Sequence, residues 1–84
     1  MKKNILVIAK RDKVEALRMA AGLTLLDDAV SVAVLGGLAD APEVREQVEV
    51  LEFAEVPLRS YDAQGVADPE LAREIIAADA VYVV

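Results

Sequence analysis

The chain has 84 residues, no cysteine, no histidine and a net charge of −6. That length allows one domain, residues 1–84, and the missing residue types exclude disulfides, a thiol nucleophile and any Ser-His triad. Acidity on this scale repels nucleic acid and anionic membranes, so neither is expected as a partner.

The hydrophobic fraction is 56% with only 4% aromatics, which predicts a core of Val, Leu, Ile and Ala. A small domain this rich in aliphatics tends to hide apolar surface in a partner, and an oligomer is expected. The charge is uneven. Residues 1–26 carry six Lys/Arg against two acids, a balance of +4, while residues 27–84 carry three against thirteen, a balance of −10. Met1-Lys2-Lys3 leads into an apolar run too short for a secretory h-region, and nothing approaches the roughly 18 apolar residues that span a bilayer. A cytoplasmic location is the expectation.

In chain order, Ile5 to Ala9 is continuously apolar, the pattern of a parallel strand covered on both faces. The basic corner Lys10-Arg11-Asp12-Lys13 follows, and Asp12 with Glu15 forms a capping-box pattern. A helix is predicted from Val14 to Leu26, with Val14, Leu17, Ala21 and Leu25 on its inner stripe. Gly22 within it costs about 0.8–1.0 kcal/mol relative to Ala and is read as permitting close approach to the sheet. Ala29 to Leu35 is a second apolar strand, and Gly36-Gly37 a turn.

Asp40 and Glu43 repeat the capping pattern, with Pro42 in the first turn of a helix that reaches about Phe53. Val44, Val48 and Leu51 face inward. Phe53 falls opposite Val44, so either the helix has ended before it, the preferred reading, or it anchors an interface. Val56 to Ser60 reads as a weak strand, and Tyr61 to Gly65 as a loop. Asp68-Pro69 opens a third helix with Leu71, Ile75 and Ala78 buried, and Ala80 to Val84 is a final strand with no charge or proline to guard it. The pattern βαβαβαβ with short connections predicts a four-stranded parallel sheet.

A parallel sheet binds ligands at the carboxyl ends of its strands. The candidate rim is therefore Lys10, Arg11, Gly36, Gly37, Ser60, Tyr61 and Asp62. The basic corner beside a helix N-terminus suits a phosphorylated small molecule or nucleotide. No G-x-G-x-x-G or G-K-[ST] accompanies it, and a solvated turn is the favoured reading. The acidic residues recur at helical spacings that read as wet faces, so no catalytic residue, metal site or cofactor is assigned. A phosphoacceptor receiver domain is rejected, because Ala9-Lys10-Arg11 stands where its acidic pair would be needed.

Taken together, the strand Asn4 to Ala9, the helix Glu15 to Leu26 (EALRMAAGLTLL), the run Val30 to Gly37 (VSVAVLGG) and the close Ala77 to Val84 resemble the DsrE/DsrF-like family of sulfur-relay proteins, of TusD/YchN type. The likeness covers nearly the whole chain and rests on patterning more than on a sharp motif. It implies a small flavodoxin-like three-layer α/β sandwich of DsrE-like type. It also implies assembly as a homo-oligomer (dimer, trimer or hexamer) or as a hetero-oligomer with a related DsrE-family chain. Some members carry persulfide sulfur on a loop cysteine beyond the middle of the chain. The matching loop here, Ser60 to Gly65, has no cysteine. What the resemblance then implies is a non-catalytic oligomeric or accessory subunit related to sulfur-relay or sulfur-oxidation proteins.

Overall fold

The computed structural model describes residues 3–26, 28–63 and 68–84. Four strands alternate with three helices: β1 (Asn4–Ala9), α1 (Lys13–Leu23), β2 (Ala29–Leu35), α2 (Pro42–Phe53), β3 (Leu58–Tyr61), α3 (Pro69–Ala77) and β4 (Ala80–Val83). The sheet is wholly parallel, in the order β3-β2-β1-β4. Successive residues of a strand point to opposite faces, and in the two central strands, β1 and β2, both faces are buried, which is why these read as unbroken apolar runs. Ile5, Val7 and Ala9 join Val30, Val32 and Val34 beneath α1 and α2, whereas Leu6 and Ile8 join Ala33, Leu35 and Tyr61 beneath Leu71 of α3.

This is the three-layer architecture of a small flavodoxin-like sandwich. The strand order, 3-2-1-4, follows the first four strands of the doubly wound dinucleotide-binding sheets. The winding therefore reverses between β1 and β4.

Several local expectations are corrected. Helix α1 ends at Leu23, three residues early: Thr24 turns its hydroxyl onto Ala21 O at 2.5 Å, and Leu25 and Leu26 donate to Gly22 and Leu23 in a tightened turn. Leu25 is consequently 88% exposed rather than buried. A Cβ on Gly22 would meet no atom within 4 Å, so that glycine serves no close approach. Ala41, not Asp40, is the N-cap of α2, because the residue before Pro42 is held extended; Asp40 instead pairs with Arg45 at 3.3 Å.

Phe53 is helical and 94% exposed, which overturns the reading that the helix stops before it. Beyond it, Glu55 N–H donates to Glu52 O and Val56 N–H to Leu51 O, a Schellman closure with Glu55 at φ 60°. Val56 is thus spent on closing α2, and β3 begins two residues later than expected, at Leu58. Tyr61, expected in a loop, is the buried last residue of β3. Of the α3 stripe only Leu71 is buried, and Ile75 is 38% exposed, since among the described residues no second helix flanks α3 on its face.

Candidate functional site: the carboxyl rim and the open edge

Hydrogen bonds join neighbouring segments along the carboxyl edge in the order of the strands. Gly36 N–H donates to Tyr61 O at 2.8 Å, joining the ends of β2 and β3. Lys13 Nζ donates to Gly37 O at 2.7 Å, joining the start of α1 to the loop after β2. Lys10 and Arg11 N–H groups both donate to Val84 O at 2.9 Å, joining the β1–α1 turn to the end of β4. Gly36 has φ +84°, a conformation that L side chains rarely adopt, and a Cβ there would stand 3.0 Å from Lys13 Nζ.

These bonds define what the seven rim residues do. Gly36, Gly37 and Tyr61 are structural joints, and the backbone donors of Lys10 and Arg11 are engaged. Asp12 caps α1 by accepting from Glu15 N–H at 3.2 Å, so a carboxylate already sits at the helix N-terminus where an anion would lie. Glu15 leans toward Arg18, 3.9 Å away, instead of completing the capping box. The side chains of Lys10, Arg11, Ser60 and Asp62 are exposed on the rim, and Gln64 and Gly65 of the loop lie outside the described residues. Among the described residues no group of three or more Asp or Glu gathers as a metal cage.

Sequence reasoning missed one polar cluster. Tyr61 OH donates to Glu74 Oε2 at 2.8 Å, and Arg59 Nη1 lies 3.2 Å from Glu70 Oε1 and 3.5 Å from Glu74 Oε1. Burial first, then the hydrogen bond and charge of Glu74, raise the Tyr61 phenol above its ordinary pKa. The signal was available: Arg59 and Tyr61 are two apart on a strand, Glu70 and Glu74 four apart on a helix, so each pair shares a face. The cluster fastens β3 to α3. A cleft of about 460 Å³, lined by Ile5, Thr24, Asp28, Val30, Pro57 and Ala78 among others, lies at the opposite, amino edge of the sheet. Doubly wound sheets hold their ligands at the other edge.

An exposed apolar strand edge lies at β4. Among the described residues no strand pairs with its far edge, and Val81, Tyr82 and Val83 are all exposed, Val83 to 60%. The opposite edge, β3, is different: it carries Arg59 and Ser60 and is preceded by Pro57. Such residues protect an edge from pairing, and β4 has none.

Fold and rim together define a small doubly wound α/β domain whose strand ends are joined by hydrogen bonds along the carboxyl edge and whose β4 edge is unguarded among the described residues. Compared with models of protein families, with curated proteins and with solved structures, the chain matches none. Among the described residues no helix is long and apolar enough to cross a membrane.

Proposed function

We propose that this chain is a non-catalytic assembly subunit, a DsrE-like α/β domain that acts by associating with other chains inside the cytoplasm. The observation that carries the reading is the bare β4 edge, apolar and without a charged residue or proline. The resemblance to sulfur-relay proteins supports assembly as the mode of action, and the absence of cysteine removes persulfide transfer from this chain itself. Its partner is a second copy or a related chain that keeps the cysteine. The test is affinity co-purification with DsrE-family chains encoded beside its gene, together with light scattering at high concentration. Retention of such a chain, or a mass above that of the monomer, supports the reading. A strict monomer that retains nothing overturns it. Incubation with a persulfide donor should leave its mass unchanged.

A second reading, a phosphorylated small molecule or nucleotide at the carboxyl rim, is favoured by one observation: the winding reverses between β1 and β4, beside Lys10 and Arg11. The engaged N–H groups and the Asp12 cap weigh against it. A thermal-shift screen with nucleotides and sugar phosphates decides it. A rise in melting temperature that Lys10→Ala with Arg11→Ala abolishes would establish the rim as a site.

A further inference from the structure

Val84 N–H donates to Ile8 O at 2.9 Å, and Val84 O accepts from Lys10 N–H, so the backbone of Val84 faces β1. Strand backbones alternate, so Tyr82 also faces β1, while the N–H and C=O groups of Val81 and Val83 point out of the sheet. Those are the donors and acceptors that the open edge presents. The side chains alternate the other way, above and below. Val81 and Val83 are in register with Leu6 and Ile8, on the α3 face, and Tyr82 is in register with Val7, on the face of α1 and α2.

On this assembly reading, we infer that the partner at β4 is a second copy of the same strand, paired antiparallel about a two-fold axis through Tyr82. The segment Ala80-Val81-Tyr82-Val83-Val84 is nearly palindromic about that residue. Antiparallel pairing sets Val81 of one copy opposite Val83 of the other, and the converse. Each of these two pairs exchanges both backbone bonds, which uses every outward donor and acceptor of the two valines. Tyr82 meets Tyr82 of the second copy at the non-hydrogen-bonded position, where side chains approach most closely. No charged residue is brought opposite another within the paired strands.

Two further features fit the same geometry. Glu70 and Glu74 lie on the flank of α3 that faces Arg59 of β3, so Ile75, about 100° further round the helix, lies on the flank toward β4. Ile75, Val81 and Val83 then form an apolar strip left half-covered by this chain alone, and Val81 and Val83 of a second copy extend over it. The charge distribution is also complementary. Antiparallel pairing carries Lys10 and Arg11, beside Val84, toward the start of β4 in the other copy. There they approach the C-terminal, electronegative end of α3, while the Asp79 carboxylate is held by Asn4 N–H at 2.7 Å on the β1 side. The basic corner of one copy is thus carried toward an electronegative helix end of the other, twice over.

The experiment uses the absence of native thiols. Tyr82→Cys places one sulfur on each side of the axis, where Cα atoms about 4.5 Å apart lie within disulfide range. Under mild oxidation at low micromolar concentration it should form a covalent dimer faster than Phe53→Cys, an equally unique thiol on another surface. Sedimentation of the wild type should shift from monomer toward dimer as concentration rises. Val81→Lys with Val83→Lys should stay monomeric throughout while keeping the wild-type circular dichroism. If the wild type assembles and Tyr82→Cys cross-links no faster than Phe53→Cys, the pairing is overturned and the assembly reading survives. A wild type that stays monomeric at every concentration also overturns the pairing, and co-purification then decides the assembly reading separately.

Discussion

The phenol of Tyr61 donates to Glu74 Oε2 across 2.8 Å, fastening the carboxyl end of β3 to the middle of α3. Tyr61→Phe keeps the ring in the core and removes only this bond. A loss of about 1 kcal/mol in chemical denaturation is expected. The pH dependence follows from burial and from Glu74, which raise the phenol above its unfolded value of 10.0. A group whose folded pKa is raised contributes its full stabilisation below the unfolded value and loses it as pH climbs through the folded one. The stability gap between wild type and Tyr61→Phe should therefore be constant at neutral pH and shrink in strongly alkaline solution. A gap that widened with alkalinity would contradict the assignment.

Two exchanges in opposite directions should both stabilise the chain. Gly22 is exposed in α1 with open space around its missing Cβ, so Gly22→Ala should raise stability by about 0.8–1.0 kcal/mol. Glu55 holds φ 60° at the Schellman position after α2, where a side chain is strained and glycine is not. Glu55→Gly should gain about 0.5 kcal/mol after the entropic cost of glycine is subtracted. Thermal denaturation of the two single variants and the double checks both signs and their additivity.

The adjacent glycines Gly36 and Gly37 should behave oppositely. Gly36→Ala forces an L side chain into φ +84° against Lys13 Nζ and should cost about 1–2 kcal/mol. Gly37→Ala meets nothing within 4 Å and should be neutral or mildly stabilising. Equal effects in urea titrations would show that the turn after β2 is not held as described.

Leu71 is the single fully buried side chain of α3 and belongs to one apolar cluster with Leu6, Ile8, Ala33, Leu35 and Tyr61. Leu71→Ala should cost about 2–5 kcal/mol, a large share of what a domain this small possesses. Ile76→Ala, on the exposed side of the same helix, should change stability by less than about 0.5 kcal/mol. Urea denaturation of the two variants measures the contrast.

Much of the architecture was legible in the sequence because it depends on local periodicity. Unbroken apolar runs such as Ile5 to Ala9 and Ala29 to Leu35 announce strands covered on both faces, and Asp68-Pro69 announces a helix start. The errors fell where local signals compete. Thr24 could extend α1 or bond its own turn, and it did the latter. Val56 could start a strand or close a helix, and the bond to Leu51 O took it. The Arg59, Tyr61, Glu70 and Glu74 cluster joins two pairs that each share a face by local periodicity, but the tertiary fold decides which helix face lies over which strand.

The rim shows the same division. Residue order alone located Lys10, Arg11, Gly36, Gly37, Ser60, Tyr61 and Asp62 at strand ends, because a parallel βα chain brings those ends to one edge. Residue types alone excluded thiol and imidazole chemistry. Only the tertiary structure decided that Gly36 and Tyr61 are joints, that the Lys10 and Arg11 amides are taken by Val84, and that β4 lies at an open edge. The reason is physical. An apolar strand reads identically at the centre or the border of a sheet, and which neighbour receives its backbone bonds is settled by contacts far apart in the chain.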